Sequence, residues 1–353
     1  MSGLEGVVVA RTVLSLVDGE GGRLIVRGQP IEELTGAVPF EEIVRRLWQG
    51  LAPGGERSAE EIQLALGEAR VAAFARVGPL REAAAGLRPI EALRLGLSSL
   101  PGGGADDHVL AAGAMPVFAA AFDRLRRDLP PIAPDPALGQ AADFLRMLSG
   151  ERGVREAEEA CDAYLVTVAE HGMNASTFTA RVVASTRAGV LPSVIAALSA
   201  LEGPLHGGAP GPVLDMLDAI GEPAEIGPWL AGELAAGRRL MGFGHRIYRV
   251  RDPRADVLKG QVAKLRGAGT GRLAFAEEVE REAVAALARH RPDRRLDTNV
   301  ELYTALLLEA LGVPRDLFTT VFAIGRVAGW TAHVFEQERE NKLIRPQSEY
   351  VGP

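Results

Sequence analysis

GPLHGGAP (203–210) and GFGHRIYRVRDPR (242–254) are the two segments whose reading decides the rest of this chain. Each sets a histidine, His206 or His245, among glycines. The second follows its histidine with Arg246, Arg249, Arg251 and Arg254, against one acid, Asp252. The formal net charge of the protein is −7, so a local cluster of cations calls for a specific cause. Glycine lets a backbone approach a ligand closely. Histidine suits proton traffic near neutral pH, and arginine presents a fork that matches carboxylates and phosphates. Together these residue types point to small polyanionic substrates and acid–base chemistry.

Composition narrows the class. The chain has 353 residues, 47% hydrophobic and 24% charged, which fits one or two globular domains. A pI near 5.6 argues against a surface built for nucleic acid or anionic membrane. The single cysteine, Cys161, leaves no internal disulfide and no Cys-rich metal site. Its helical neighbours Tyr164, Leu165 and Val168 make it a core residue. No histidine pair has metal-binding helical spacing, so no metal is expected. MSGLEGVVVARTV at the N-terminus lacks the order of a signal peptide. The longest apolar run, 189–201, is too short to span a bilayer. A reducing, cytoplasmic setting is the expectation.

Runs at 6–10 (GVVVA), 12–17 (TVLSLV) and 23–28 (RLIVRG) read as short strands, with DGEGG (18–22) as a hairpin turn. Helical spacing dominates afterwards. Ser58 reads as the N-cap of a helix with Glu60 and Glu61 in its first turn, continuing to Val77. Leu138, Ala141, Leu145 and Leu148 share one face before Gly150 stops the helix. A long final helix is expected from Arg315 to Glu338. There is no βαβ alternation, no G-x-G-x-x-G and no P-loop, which removes the nucleotide-binding folds. The expected class is all-α with a short N-terminal β hairpin.

Other residues can carry chemistry. His108 and His290 lie among charged neighbours and read as surface residues; His333, beside Trp330 and Phe335, reads as packing. His171, in EHGMNAST, ends a helix where a polar group can face a cleft. Arg326, inside FAIGRVAGW, needs either an internal ion pair or an external anion. Arg345, in LIRPQS, is either solvated or ligand-binding, and Glu301, in TNVELY, is either a helix-terminal acid or a base.

Taken in order, TVLSLVDGEGGRLIVRGQPIEEL (12–34), EHGMNASTF (170–178), GPLHGGA (203–209), GFGHRIYRVRDPRA (242–255), TNVELY (298–303), LFTTVFAIGRVAGWTAH (317–333) and LIRPQSEYVGP (343–353) resemble the citrate synthase family over nearly the whole chain. The resemblance implies an all-α homodimer with a cleft between two domains. Carried onto this chain, the large domain is 1–207 plus 313–353 and the small mobile domain 208–312. It implies condensation of an acyl-CoA, usually acetyl-CoA, with a 2-oxo acid, usually oxaloacetate, and no cofactor beyond the coenzyme A thioester substrate. His206 is similar to the histidine that stabilises the enol, and His245 to the one that polarises the ketone. His171, Arg254 and Arg326 resemble oxaloacetate contacts; Arg345 resembles one supplied by the partner subunit. Arg249 resembles a contact to coenzyme A phosphate. No nucleic acid or membrane partner is implied.

The chain departs from the family where N-x-D is usual. Here Asn299 is followed by Val300 and Glu301. Glutamate keeps the carboxylate but adds one methylene, about 1.5 Å of reach. The activities left open are a citrate synthase, a 2-methylcitrate synthase using propionyl-CoA, or a ligand-binding paralogue with weak turnover. Gln29 replaces a tyrosine usual in the family, and RPIEALR (88–94) also differs; neither suggests chemistry.

Overall fold

Leu14, Leu24 and Val26 are buried beneath a small antiparallel sheet, which is where the described chain starts to pack. Strands Ser15–Asp18 (β1) and Arg23–Val26 (β2) form the expected hairpin, and Gln29–Pro30 (β3) extends it. This computed structural model describes residues 4, 6–207, 210–245, 247–265 and 270–353. The run GVVVA, expected as a strand, forms none: Val7 is 50% and Val8 85% exposed. β-Branched residues favour a pleated, half-buried surface, and none is offered to them here.

Helices account for the rest. Ile31–Leu34 (α1), Phe40–Trp48 (α2), Ala59–Phe74 (α3), Val77–Ala84 (α4) and Pro89–Ser98 (α5) come first. Asp107–Arg126 (α6), Gln140–Ser149 (α7), Arg155–Val168 (α8), Ala175–Ala184 (α9) and Val190–Leu201 (α10) follow. Then come Pro210–Ile220 (α11), Ile226–Ala235 (α12), Pro253–Lys264 (α13), Thr270–His290 (α14), Val300–Ala310 (α15) and Phe318–Glu340 (α16). Ser58 caps α3 in a reciprocal capping box with Glu61. The helix expected to reach Val77 stops at Phe74 and restarts as α4.

Two helices form the spine. Nearly every residue of α6 and α16 is buried, the mark of a helix packed on all sides. α16 lies against α6, α8, α9 and α10. Its approach to the end of α8 depends on Gly329, where a Cβ would stand 2.4 Å from both the Ala169 carbonyl oxygen and Glu170 Oε2. That contact sets the height at which the chain leaves α8 towards His171.

His108 is not a surface residue. It is fully buried in the first turn of α6, edge-on to Trp48 at 4.6 Å and Phe335 at 5.1 Å between ring centroids. Its charged sequence neighbours point elsewhere on the helix, and burial lowers its pKa to about 4, so it stays neutral. His290 is exposed, as expected. His333 is a packing residue, held between Glu170 Oε1 (3.1 Å) and the Arg181 guanidinium (3.2 Å). Cys161 is buried, and burial pushes its thiol pKa up, away from reactivity.

Candidate active site

Two helix ends and one loop deliver three histidines. His171 follows α8, His206 follows α10, and His245 sits in the loop before α13. The rings of His171 and His245 lie 5.6 Å apart, and Tyr248 stands against both, with its hydroxyl 3.2 Å from His171 Nε2. His206 meets Ser176 at the start of α9: its Nε2 lies 2.8 Å from Ser176 Oγ and accepts the Ser176 backbone N–H at 3.3 Å. Ser176 Oγ is itself held by Trp330 Nε1 at 3.1 Å and by Asn174, the N-cap of α9.

The tautomers are assigned from the backbone donors, since a backbone N–H can only give a hydrogen bond. With Nε2 of His206 accepting, the neutral ring carries its proton on Nδ1. His245 is the reverse: its Nδ1 accepts the N–H groups of Ile247 (3.0 Å) and Tyr248 (3.1 Å), so the proton is on Nε2. Burial, reinforced by Arg326 for His206 and by Arg254 for His245, lowers both pKa values to about 4. Burial and the nearby Arg254 and His245 hold His171 well below its usual value. All three rings are therefore neutral at pH 7, and two of them have a donor N–H that meets no partner among the described residues.

The His245 loop is stitched to the start of α15. Phe243 and Thr298 form an antiparallel bridge, Gly244 N donates to the Asp297 carbonyl at 2.7 Å, and Asn299 N donates to Gly242 at 3.0 Å. Gly244, at φ +80°, takes a backbone conformation that a side chain would strain. Asn299 caps α15 by accepting from Glu301 N at 3.0 Å, while its amide donates to Gly244 O at 2.9 Å. Glu301 thus projects from the first turn of α15, in the same knot as His245. Burial, only partly opposed by Arg254, pushes its carboxyl up to about 7.

Arg254 is buried and forked onto Asp252, with Nε–Oδ1 at 3.0 Å and Nη2–Oδ2 at 2.8 Å. Arg326 is buried too, but no carboxylate pairs with it among the described residues. Its Nε donates to the Val168 carbonyl at 2.5 Å and its guanidinium lies 4.6 Å over the Phe322 ring. Burial, together with Arg254, pulls it down to about 10 against the pull of Glu170, leaving it charged at neutral pH.

The remaining arginines divide. Arg249 is exposed, lines a cavity of about 600 Å³ with the β1 turn and Ile247, and donates its backbone N–H to Gly19 O at 2.8 Å. Arg345 lies exposed on the C-terminal tail and joins no described cluster. Arg251, read as one of a local cluster of cations, is a hub that pairs with Asp256 and Glu280, both at 2.6 Å. Arg246 lies outside the described residues. The sequence reading missed Ser176, Tyr248 and Asp252 as site residues; only Ser176, inside NAST, carried any signal.

The profile described as "Citrate synthase, C-terminal domain" matches residues 3–347. The chain belongs to the citrate synthase family. This citrate-synthase-type enzyme is 39% identical to putative citrate synthase 2 of Mycobacterium tuberculosis, over 99% of its own length and 92% of the relative's. It is 34% identical to 2-methylcitrate synthase of the same organism, over 99% of this chain and 90% of that one. The crystal structure of citrate synthase from Thermotoga maritima superposes with a TM-score of 0.89 at 36% identity, covering 100% of this chain and 96% of the other.

Proposed function

We propose that this citrate-synthase-type enzyme condenses acetyl-CoA with oxaloacetate, releasing citrate and free coenzyme A. The observation that carries the reading is the pair of neutral imidazoles, His206 and His245, each with one nitrogen accepting from backbone N–H and the other N–H without a partner among the described residues. Glu301 takes a proton from the thioester α-carbon while His206 Nδ1–H donates to the thioester oxygen, where enolate charge develops. The enol carbon then attacks the ketone carbon of oxaloacetate, polarised by His245 Nε2–H. Water cleaves the resulting thioester, and the thiol leaves. The chemistry needs no metal or cofactor, because coenzyme A enters as substrate.

Arg254 and Arg326 hold the carboxylates of the oxo acid, and His171, kept neutral and braced by Tyr248, contacts it as well. Bidentate arginine binding and a shared cleft supply orientation. Arg249 reaches the coenzyme phosphates. Arg345, on the exposed tail, completes the site of a partner subunit in a homodimer. The large domain comprises 1–207 and 313–353, and the small domain 208–312. One hinge would lie at 312–314, just after α15 ends at Ala310; the other would fall at the glycines after His206, of which Gly208 lies outside the described residues. Closure would exclude water until the carbon–carbon bond forms. No helix among the described residues is long and apolar enough to cross a membrane, and the reading adopts a cytoplasmic setting.

Thiol release with oxaloacetate and a panel of acetyl-, propionyl- and longer acyl-CoA thioesters tests the reading. Release with acetyl-CoA at the highest kcat/KM is the expected result. A preference for propionyl-CoA would make the enzyme a 2-methylcitrate synthase, the reading that the 34% identical relative favours. Oxaloacetate binding by calorimetry without thiol release from any thioester would overturn catalysis and leave a ligand-binding paralogue.

A further inference from the structure

Asp252 has more partners than a helix cap needs. It is fully buried at the N-cap of α13. Its Oδ1 accepts from Arg254 N (3.1 Å) and Nε (3.0 Å); its Oδ2 accepts from Arg254 Nη2 (2.8 Å) and from Val300 N (3.2 Å). Its own N–H donates to Thr298 O at 3.2 Å. Val300 is the first residue of α15 and the direct neighbour of both Asn299 and Glu301. One carboxylate therefore holds the Arg254 guanidinium on one side and the first turn of α15 on the other. Each arm is short enough to fix its partner, and a buried carboxylate relieved of one arm would leave the other group unpaired.

We propose that Asp252 is a positioning residue that sets the distance between the oxo-acid clamp, Arg254, and the turn that carries the base, Glu301. The inference rests on the roles given to those two residues above. Asp252 touches no substrate. It couples the two reactant sites, so that the base is held in register with the arginine that anchors the other reactant. It also supplies a negative charge that opposes ionisation of Glu301, while Arg254 favours it and Asn299 hydrogen-bonds it. On the other elements packed against α15, Cys161 and Tyr164 of α8 are kept neutral by burial. Asp215 and Asp218 of α11 are paired with Arg315, and Asp218 also with Arg272.

Two substitutions separate the arms. Asp252→Asn removes the charge and weakens the fork to Arg254. Val300→Pro removes only the N–H given to Asp252, at the first helical position where proline is well accommodated, after a residue already extended at φ −106° and ψ 176°. Val300→Ala, which keeps that N–H, is the control for side-chain loss. In steady-state thiol release, D252N is expected to raise KM for oxaloacetate on the order of tenfold and to move the acid limb of kcat to lower pH. V300P is expected to lower kcat on the order of tenfold, with KM for oxaloacetate within about twofold of V300A. An unchanged KM and pH midpoint in D252N, or equal kcat in V300P and V300A, overturns the inference. If D252N does not fold, the comparison of V300P with V300A decides it. No thiol release by the unmodified enzyme would sink the catalytic reading instead. Oxaloacetate calorimetry would then test the coupling, which predicts binding weakened by D252N and unaffected by V300P; equal binding by D252N and the unmodified protein would overturn it.

Discussion

At Glu301 the added methylene and the raised pKa act on the same proton. A base is useful only when ionised, and this carboxyl sits at about 7. The rate is therefore expected to rise with pH up to about 7 and level off above it. The histidines add no limb in that range, because His206 and His245 titrate at about 4 and burial holds His171 well below its usual value. A kcat profile flat from pH 5 to 8 would remove Glu301 as the base. The cap built by Asn299 fits the longer side chain, with Asn299 Nδ2 3.5 Å from Glu301 Oε2. Glu301→Asp should accordingly lower kcat by roughly ten- to a hundredfold, the scale of a misplacement near 1 Å. A gain would instead mark the natural enzyme as a weakened one. Stability moves the other way. The unfolded carboxyl titrates near 4.5 and the folded one near 7, so the folded state loses stability as pH rises between those values. Glu301→Gln should abolish activity yet raise the melting temperature at pH 8, with the advantage vanishing below pH 4.5.

Among the elements, α15 shows how a helix end becomes chemistry. Its N-cap satisfies the helix, its first N–H satisfies Asp252, and its extended lead-in pairs with the His245 loop. Asn299→Ala should cost about 1 kcal/mol as a lost cap and should also loosen the Gly244 link. Chemical denaturation reads the first effect and KM for oxaloacetate the second; Asn299→Asp should recover the cap alone. Most elements were legible in the chain because apolar periodicity, Ser58, Gly150 and the hairpin turn are local signals. GVVVA was misread because β propensity says nothing about whether a partner strand exists. His108 was misread because its neighbours' charge was weighed above its place on the inner face of α6. The histidines and arginines were legible as types flanked by glycine or apolar residues. Asp252 was not, since its meaning lies in Val300, 48 residues away, and no spacing rule reaches that far. Arg251 was counted in a local excess of cations for the same reason: Glu280, which pairs with it, comes from α14, 29 residues on.

For the whole molecule, the homodimer proposal has a numerical signature. If Arg345 serves the partner's site, a protein carrying Arg345→Gln and one carrying Glu301→Gln are each inactive. Co-refolded in equal amounts, half of the dimers are mixed, and each mixed dimer has one site free of both changes. About a quarter of full activity should return. No recovery would mean that Arg345 acts within its own chain or not at all. A different consequence follows from the way Arg326 is housed. It is a buried cation facing a carbonyl and an aromatic ring, with no carboxylate paired to it among the described residues. If Arg326 binds the oxo acid as proposed, chloride, sulfate or phosphate from the medium should compete for it, and substrate would have to displace them. Apparent affinity for oxaloacetate is then expected to depend on the buffer as well as on the protein, and should tighten when the counter-ion is changed from sulfate to a bulky organic sulfonate at equal ionic strength.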